Sequence, residues 1–162
     1  MSSRPDLDSR MRRLEDARAI RELKARYFRH MDLREWSALR DVFTADAVMD
    51  MRGASDELKA SGVNADPETL VIAKRDTIVS TMEGSLFGIA TVHHGHMPEI
   101  TFVSDDEAKG IWPMEDTLIF PKGAQVRRLH GFGHYHETYR REQDGCWRIS
   151  HLRFTRLHVE IE

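Results

Sequence analysis

The first thirty residues have the hydrophobic spacing of an amphipathic helix. Between Asp6 and Met31 most apolar residues are three or four positions apart, which places them on one helical face. These residues are Leu7, Met11, Leu14, Ile20, Leu23, Tyr27, Phe28 and Met31. Pro5 and Asp6 favour a helix start at this point. A second, short helix is predicted next, with Trp36, Leu39, Val42 and Phe43 on one side.

The middle of the chain alternates between short apolar and polar stretches. Residues 47–51 have the pattern of a short strand, and residues 52–66 are small and polar, which predicts a mobile loop. Asp66 and Pro67 then favour the start of a third helix, because aspartate caps helices and proline suits the first turn. This helix is predicted to end near Gly84.

The second half of the chain has the pattern of four long strands. They are predicted at residues 89–103, 110–120, 125–142 and 146–160, with polar or glycine-containing turns between them. Helices followed by an antiparallel meander predict an α+β fold, with the helices on one face of a curved sheet. Such an arrangement leaves a pocket between the two layers.

Length and composition narrow the possible classes of protein. A chain of 162 residues predicts a single domain spanning 1–162. The formal net charge is -3 and lysines and arginines form no long block, which argues against nucleic-acid binding; Arg10, Arg12 and Arg13 are interpreted as a solvated helix face. Cys146 is the single cysteine, so an internal disulfide is impossible. With no signal-like segment or long apolar run, we expect a cytoplasmic protein that does not enter membranes.

Histidines are concentrated on the predicted strands. Eight of the nine follow residue 90. Because side chains alternate along a strand, His93 and His94 should face opposite sides, whereas His134 and His136 should share one. A lone histidine is often structural, but two clusters on strands that face one pocket would form a candidate site.

Two aspartates have alternative interpretations. Asp32 ends the first helix, where it either turns toward the pocket or caps the following helix in a capping box with Glu35. Asp116 shares a strand face with Trp112 and Met114. It is either a buried carboxylate that needs a partner, or exposed, or paired with an arginine of the third or fourth long strand.

Several segments resemble SnoaL-like proteins of the nuclear-transport-factor-2-like superfamily. They are residues 27–39, 43–48, 91–95, 133–139 and 144–149, and the resemblance extends over roughly residues 14–159. It implies a cone-shaped fold with a strongly curved antiparallel or mixed sheet and N-terminal helices on its concave face. The superfamily hosts many activities, so the resemblance specifies the fold much better than the reaction.

Within this superfamily the chain is most similar to bile-acid 7α-dehydratases and scytalone dehydratases. That similarity implies Tyr27, Asp32, His93 and Asp116 as catalytic residues, with His93 rather than His94 facing the pocket. His93 would act as the base, Asp32 would hold its ring, and Tyr27 would donate a hydrogen bond to a substrate oxygen.

Further residues are predicted to contact the substrate. The resemblance places His134 or His136 near a second catalytic histidine of scytalone dehydratase, so both are candidates for positioning the substrate or assisting departure of a hydroxyl. Asp116 would share this role. Trp112 is a further substrate-binding candidate because it shares the strand face of Asp116.

The function predicted from these residues is cofactor-free acid–base catalysis. The expected activity is that of a dehydratase, another lyase or an isomerase acting on a hydrophobic cyclic molecule such as a steroid or polyketide. We expect no cofactor or metal, and self-association into a dimer or trimer. The alternatives are a non-catalytic binding or interaction module, a dioxygenase small subunit, and a metal site. The metal ligands would come from the two histidine clusters, 93–96 and 134–136.

Overall fold

The computed structural model describes residues 6–54 and 69–162. In chain order its elements are α1 (Leu7–Asp32), α2 (Trp36–Arg40), β1 (Phe43–Gly53), β2 (Val71–Ala73), α3 (Arg75–Ser85), β3 (Ala90–Gly95), β4 (Glu99–Phe102), β5 (Glu107–Ile119), β6 (Arg128–Arg141) and β7 (Trp147–Ile161). The prediction of helices followed by a long-stranded sheet is confirmed.

Helix α1 begins where the sequence predicts it. Asp6 caps it by accepting a hydrogen bond of 2.7 Å from the Ser9 backbone N–H. The second half of the helix buries its apolar face against the sheet, through Ile20, Leu23, Tyr27, Phe28 and Met31. The first turns expose Leu7, Met11 and Leu14. The end of α1, where Asp32 lies, is therefore held close to the sheet.

The strands within the described ranges form one mixed sheet. Their order is β2–β1–β7–β6–β5–β3, and β4 also pairs with β5. The pairing of β1 with β7 is parallel and the other pairings are antiparallel. The long strands β5, β6 and β7 form the centre, and α1 packs on their concave face. The mixed sheet with N-terminal helices on its inner face confirms the predicted α+β fold class.

Alternation along β6 shows which side of the sheet faces the helices. Its buried positions are every second residue: Leu129, Gly131, Gly133, Tyr135, Glu137 and Tyr139. The residues between them are partly exposed on the convex side. This period of two decides which side chains can reach a site under α1.

Two predicted elements differ from the observed ones. Residues 89–103 form two strands instead of one, because β3 ends at Gly95 and Pro98 cannot donate a ladder hydrogen bond. The third helix starts at Arg75, since residues 71–73 pair with β1 and Lys74 has a left-handed φ of 72°. Its predicted start at Asp66 and Pro67 lies outside the described residues, as does most of the predicted loop at 52–66.

Strand β1 is longer than predicted and begins at Phe43. That residue therefore belongs to the sheet and not to the second helix, which ends at Arg40. Within residues 6–54 and 69–162, no helix combines the length and apolar character needed to cross a bilayer.

Acid is expected to destabilise the fold through aspartates that are paired with arginines. Hydrogen bonds from Arg140, Arg52 and Arg148 are the largest cause that lowers the pKa values of Asp46, Asp50 and Asp144 from 3.8 to about 2. A depressed folded-state pKa stabilises the fold above the unfolded value and loses that effect as pH falls. We therefore expect the urea concentration at the unfolding midpoint to decrease as the pH is lowered from 4 to 2. Asp50→Asn should make this decrease smaller.

Candidate active site

A cavity of about 440 Å³ lies between the end of α1 and the concave face of the sheet. Most of its wall is apolar and includes Met49, Leu70, Met82, Leu118 and Leu152. Polar groups reach it from α1, β3, β5, β6 and β7. They include Tyr27, His93, Asp116, Tyr135 and Arg156. An apolar chamber of this size with converging polar groups is typical of a small-molecule site.

The site contains a close histidine–aspartate contact. His93 Nδ1 lies 2.6 Å from Asp32 Oδ1, and the His93 backbone N–H donates to Asp32 Oδ2 at 2.9 Å. The Thr91 hydroxyl donates to Oδ1 at 2.8 Å. The side chain of His93 is 7% exposed, whereas that of His94 is 63% exposed. Strand alternation thus turns His93 inward and His94 outward.

The environment of Asp32 determines the tautomer of His93. Burial raises the pKa of Asp32, but the hydrogen bond and charge of His93, its backbone N–H and the Thr91 hydroxyl together lower it below its ordinary value. Asp32 is therefore an ionised acceptor at neutral pH. In the neutral imidazole the proton then sits on Nδ1, next to this acceptor, and Nε2 carries the lone pair.

Asp32 does not cap α2. The N-cap position of that helix is Glu35, and no side chain caps it. Arg34, which has a left-handed φ of 63°, instead supports the site from behind. Its guanidinium donates to the Thr91 hydroxyl at 3.0 Å and to the Met31 carbonyl at 2.7 Å. The turn after α1 therefore directs Asp32 toward β3.

Asp116 lies at the cavity as half of a buried ion pair. Arg156 of β7 donates to its two carboxylate oxygens at 2.9 and 2.8 Å, and the two side chains are 6% and 9% exposed. Pairing with an arginine of the fourth long strand is one of the alternatives that the sequence left open. His93 Nε2 is 4.0 Å from Asp116 Oδ2, beyond hydrogen-bond distance. Asp116 therefore holds Arg156 at the site and is not directly bonded to His93.

Gly131 makes room for this ion pair. A Cβ added there would lie 2.4 Å from Arg156 Nη1 and 2.7 Å from Asp116 Oδ1. We expect Gly131→Ala to displace the pair and to destabilise the fold by about 1–3 kcal/mol, the usual cost of overpacking. Urea unfolding measures the cost. Gly84→Ala is the control, because a Cβ at that position meets no atom of the described residues within 4 Å apart from the backbone of its own helix.

Tyr27 and Tyr135 present two phenol rings to the cavity. The rings are in an edge-to-face arrangement with centroids 5.9 Å apart. Burial, followed by the charge of Glu137, raises the pKa of Tyr27 far above its ordinary value, so its hydroxyl stays protonated and can donate. Sequence reasoning missed Tyr135 and Arg156. The period-two pattern of β6 was the available signal for Tyr135, since it places this residue opposite to His134 and His136.

Three predicted substrate contacts require correction, because the structure does not bring Trp112, His134 or His136 to the cavity. His134 and His136 project from the convex side of β6, where His136 Nε2 lies 3.2 Å from Thr155 Oγ1. Trp112 faces inward, but its indole N–H donates to the Tyr139 hydroxyl at 2.6 Å within the core.

The members of the first histidine cluster face opposite sides of the sheet, because His93 is buried at the cavity whereas His94 and His96 are exposed. His94 and His96 lie near Glu115, at 3.6 and 4.0 Å, on the outer side of the sheet. In the part of the chain that the structure describes, no three His, Cys, Asp or Glu side chains are arranged to hold a metal ion.

Comparison with known proteins places this fold and cavity in a family. The model of the SnoaL-like domain matches residues 12–153. The probable cyclase FGR4 of Gibberella zeae is 26% identical over 151 residues, which cover 91% of this chain and 95% of that protein.

Solved structures show the same fold. A type 2 hexachlorocyclohexane dehydrochlorinase (LinA) aligns with a TM-score of 0.75 at 19% identity, over 94% of this chain and 92% of its own. A candidate scytalone dehydratase from Novosphingobium aromaticivorans aligns with a TM-score of 0.76 at 21% identity, over 93% and 90%. The match to the domain model covers most of the chain, and the chain belongs to the SnoaL-like domain family.

Proposed function

We propose that this protein is a cofactor-free enzyme that converts a small, largely apolar cyclic molecule by acid–base catalysis. The reaction is an elimination, such as dehydration, or an isomerisation. The observation that carries the proposal is the 2.6 Å contact between His93 and Asp32 at an apolar cavity of about 440 Å³. A base of this kind is needed wherever a proton is removed from carbon next to a carbonyl.

His93 is the proposed base. Its Nε2 accepts the proton from the substrate carbon, and the ring becomes an imidazolium. The imidazolium then gives that proton to the departing hydroxyl, which leaves as water in a dehydration, or to another substrate carbon in an isomerisation. Asp32 stabilises that cation through Nδ1 and keeps the ring in one orientation, as carboxylates do toward histidine in other enzymes. Thr91 and the His93 backbone N–H hold Asp32 in place, so the pair is organised before substrate arrives.

Tyr27 and Tyr135 are the proposed donors to the substrate oxygen. Proton removal leaves negative charge on that oxygen, and hydrogen bonds to a developing oxyanion lower the barrier. Arg156 lies in the same wall, but Asp116 occupies it on both terminal nitrogens. The ion pair therefore presents a polar, nearly neutral surface, which suits an uncharged substrate with one oxygenated end.

The names of the relatives support this class of chemistry. Cyclase, dehydrochlorinase and dehydratase all denote conversions of small organic molecules, and the latter two denote eliminations. Identity to these proteins is low, so the substrate class proposed here rests on the cavity of this chain.

Deuterium exchange from solvent tests the proposal even when the product of the reaction is unidentified. The wild type is incubated in D2O with steroid enones, aromatic polyketide-like ketones and simple cyclic ketones, and mass spectrometry follows deuterium uptake and loss of water. Exchange or elimination above the buffer rate supports the proposal. A compound that raises the melting temperature without reacting favours the binding-module alternative. If no compound of the panel reacts or raises the melting temperature, the proposed substrate class is wrong.

A further inference from the structure

A lysine is buried beneath the two cavity tyrosines. Lys24 has no exposed surface, and its Nζ lies 2.5 Å from Glu137 Oε1. The same nitrogen is 3.5 Å from the ring centroid of Tyr135 and 4.1 Å from that of Tyr27. Lys24 does not line the cavity itself. Its charge therefore acts on the cavity indirectly, through the two phenol rings that it contacts.

Glu137 connects this lysine to a wider buried network. Its second carboxylate oxygen accepts a hydrogen bond from the Tyr139 hydroxyl. The Tyr139 oxygen in turn accepts the indole N–H of Trp112 at 2.6 Å. These partners fix the carboxylate, and the carboxylate fixes the ammonium group.

Stability alone is a weak reason for burying such a pair. Replacing a buried ion pair by apolar residues of similar size is often neutral or stabilising, because removing both charges from water is costly. Burial lowers the pKa of Lys24 to about 8 despite the opposing effect of Glu137, so the ammonium form still predominates at neutral pH. The location of this cation under Tyr27 and Tyr135 requires another explanation.

The cation has two physical effects on a neighbouring phenol. An ammonium group at the face of an aromatic ring is attracted to its electrons and resists rotation of the ring. In a poorly solvated interior, the same positive charge also favours negative charge on the phenol oxygen, whereas the Glu137 carboxylate, which raises the pKa of Tyr27, acts in the opposite sense. A hydroxyl polarised in this way is a stronger donor to an oxygen that becomes negative.

We propose that Lys24, anchored by Glu137, is a positioning residue that fixes the rings of Tyr27 and Tyr135 and polarises their hydroxyls toward a substrate oxygen. This inference rests on the proposed function for its catalytic consequence. Its structural part, the polarisation of the two hydroxyls, can be measured on the protein alone.

The chain offers a simple spectroscopic test. It contains three tyrosines, Tyr27, Tyr135 and Tyr139, and all are buried in this network. Labelling the tyrosine Cζ with ¹³C therefore yields three resonances, which single Tyr→Phe variants assign. The double variant Lys24→Met with Glu137→Gln removes both charges together. The control is Arg13→Met with Asp105→Asn, which removes a more exposed ion pair elsewhere.

The Lys24 nitrogen lies directly against both rings, so its loss should outweigh the loss of the opposing Glu137 charge. We therefore expect the Tyr27 and Tyr135 resonances of the double variant to move toward the position of an unpolarised phenol, and those of the control to stay in place. Wild-type positions in a folded double variant would overturn the inference.

A titration of the wild type needs no substitution. For this titration the lysine Cε is labelled with ¹³C as well, so that the Lys24 signal reports loss of its proton. As the pH is raised through about 8, the Tyr27 and Tyr135 resonances should move over the same pH range as the Lys24 signal. The other groups acting on these tyrosines are Glu137, Asp32, Asp116 and Arg156. Resonances that do not follow Lys24 would contradict the inference even if the double variant does not fold.

Exchange kinetics separate positioning from a merely structural role. The Lys24/Glu137 double variant should slow deuterium exchange of a ketone that the wild type exchanges by about tenfold. A tenfold change corresponds to the loss of about one charge-assisted hydrogen bond in the transition state. The Kd of the ketone should change little. The same substitutions should have no further effect where Tyr27 and Tyr135 are already phenylalanine. Equal slowing in both backgrounds would exclude action through the hydroxyls. If the wild type exchanges no ketone, the proposed function fails, and the resonances still decide the polarisation.

Discussion

Replacing His93 by alanine is expected to slow any reaction in the cavity by about 10²–10⁴-fold, the usual contribution of a positioned general base. The imidazole lines a chamber whose other described side chains are phenols, aliphatic hydroxyls, an ion pair and apolar groups. Loss of the ring also leaves the Asp32 carboxylate without its histidine partner. The measurement is the rate of deuterium exchange or elimination with the best compound from the panel.

His94→Ala is the matched control for this prediction. It removes the same side chain from the next position of β3, on the exposed side of the sheet. We expect its rate and melting temperature to stay close to those of the wild type. A His93→Ala protein that is folded and as fast as the His94→Ala protein would exclude His93 from the mechanism.

Glu137→Gln alone is expected to lower the free energy of unfolding by about 3–5 kcal/mol, because breaking a buried ion pair on one side leaves an uncompensated charge. Without the Glu137 charge nothing offsets the burial of Lys24, so its pKa falls further. The fold must then either hold an unpaired ammonium group among three aromatic rings or release the Lys24 proton, and both cost stability. The Tyr139 hydroxyl would also donate to a neutral amide oxygen in place of a charged carboxylate. Urea unfolding at neutral pH measures the loss.

The double variant Lys24→Met with Glu137→Gln provides the comparison. It removes both charges at nearly constant volume, so its stability should lie much closer to that of the wild type. The single variant Lys24→Met completes the comparison. If the double variant loses as much stability as Lys24→Met and Glu137→Gln added together, the two side chains do not interact energetically.

The sequence was sufficient to predict the fold class because its signals are local. The three-to-four spacing in α1 and the long alternating segments of β5 to β7 each follow from burying one face of an element. The same alternation placed His93 and His94 on opposite sides. It failed for His134 and His136 because the pattern shows that they share a side but not that this side is the convex one.

The residues around the cavity were harder to predict because they come together from distant parts of the chain. Arg156 reaches Asp116 across 40 positions, and Lys24 reaches Glu137 across 113. Neither pair has a spacing signal, since their contacts depend on the register of β5, β6 and β7 and on the way α1 crosses the sheet.

Local periodicity and a family resemblance thus predicted the helices followed by long strands, the α+β class and the candidates Tyr27, Asp32, His93 and Asp116. Tertiary structure alone decided that Asp32 turns to β3, that Asp116 is paired with Arg156, that Tyr135 lines the cavity and that Lys24 lies against its ring. The physical reason is that burial of one face specifies an element locally, whereas a buried charge is matched by whichever partner the packed layers bring within hydrogen-bond distance.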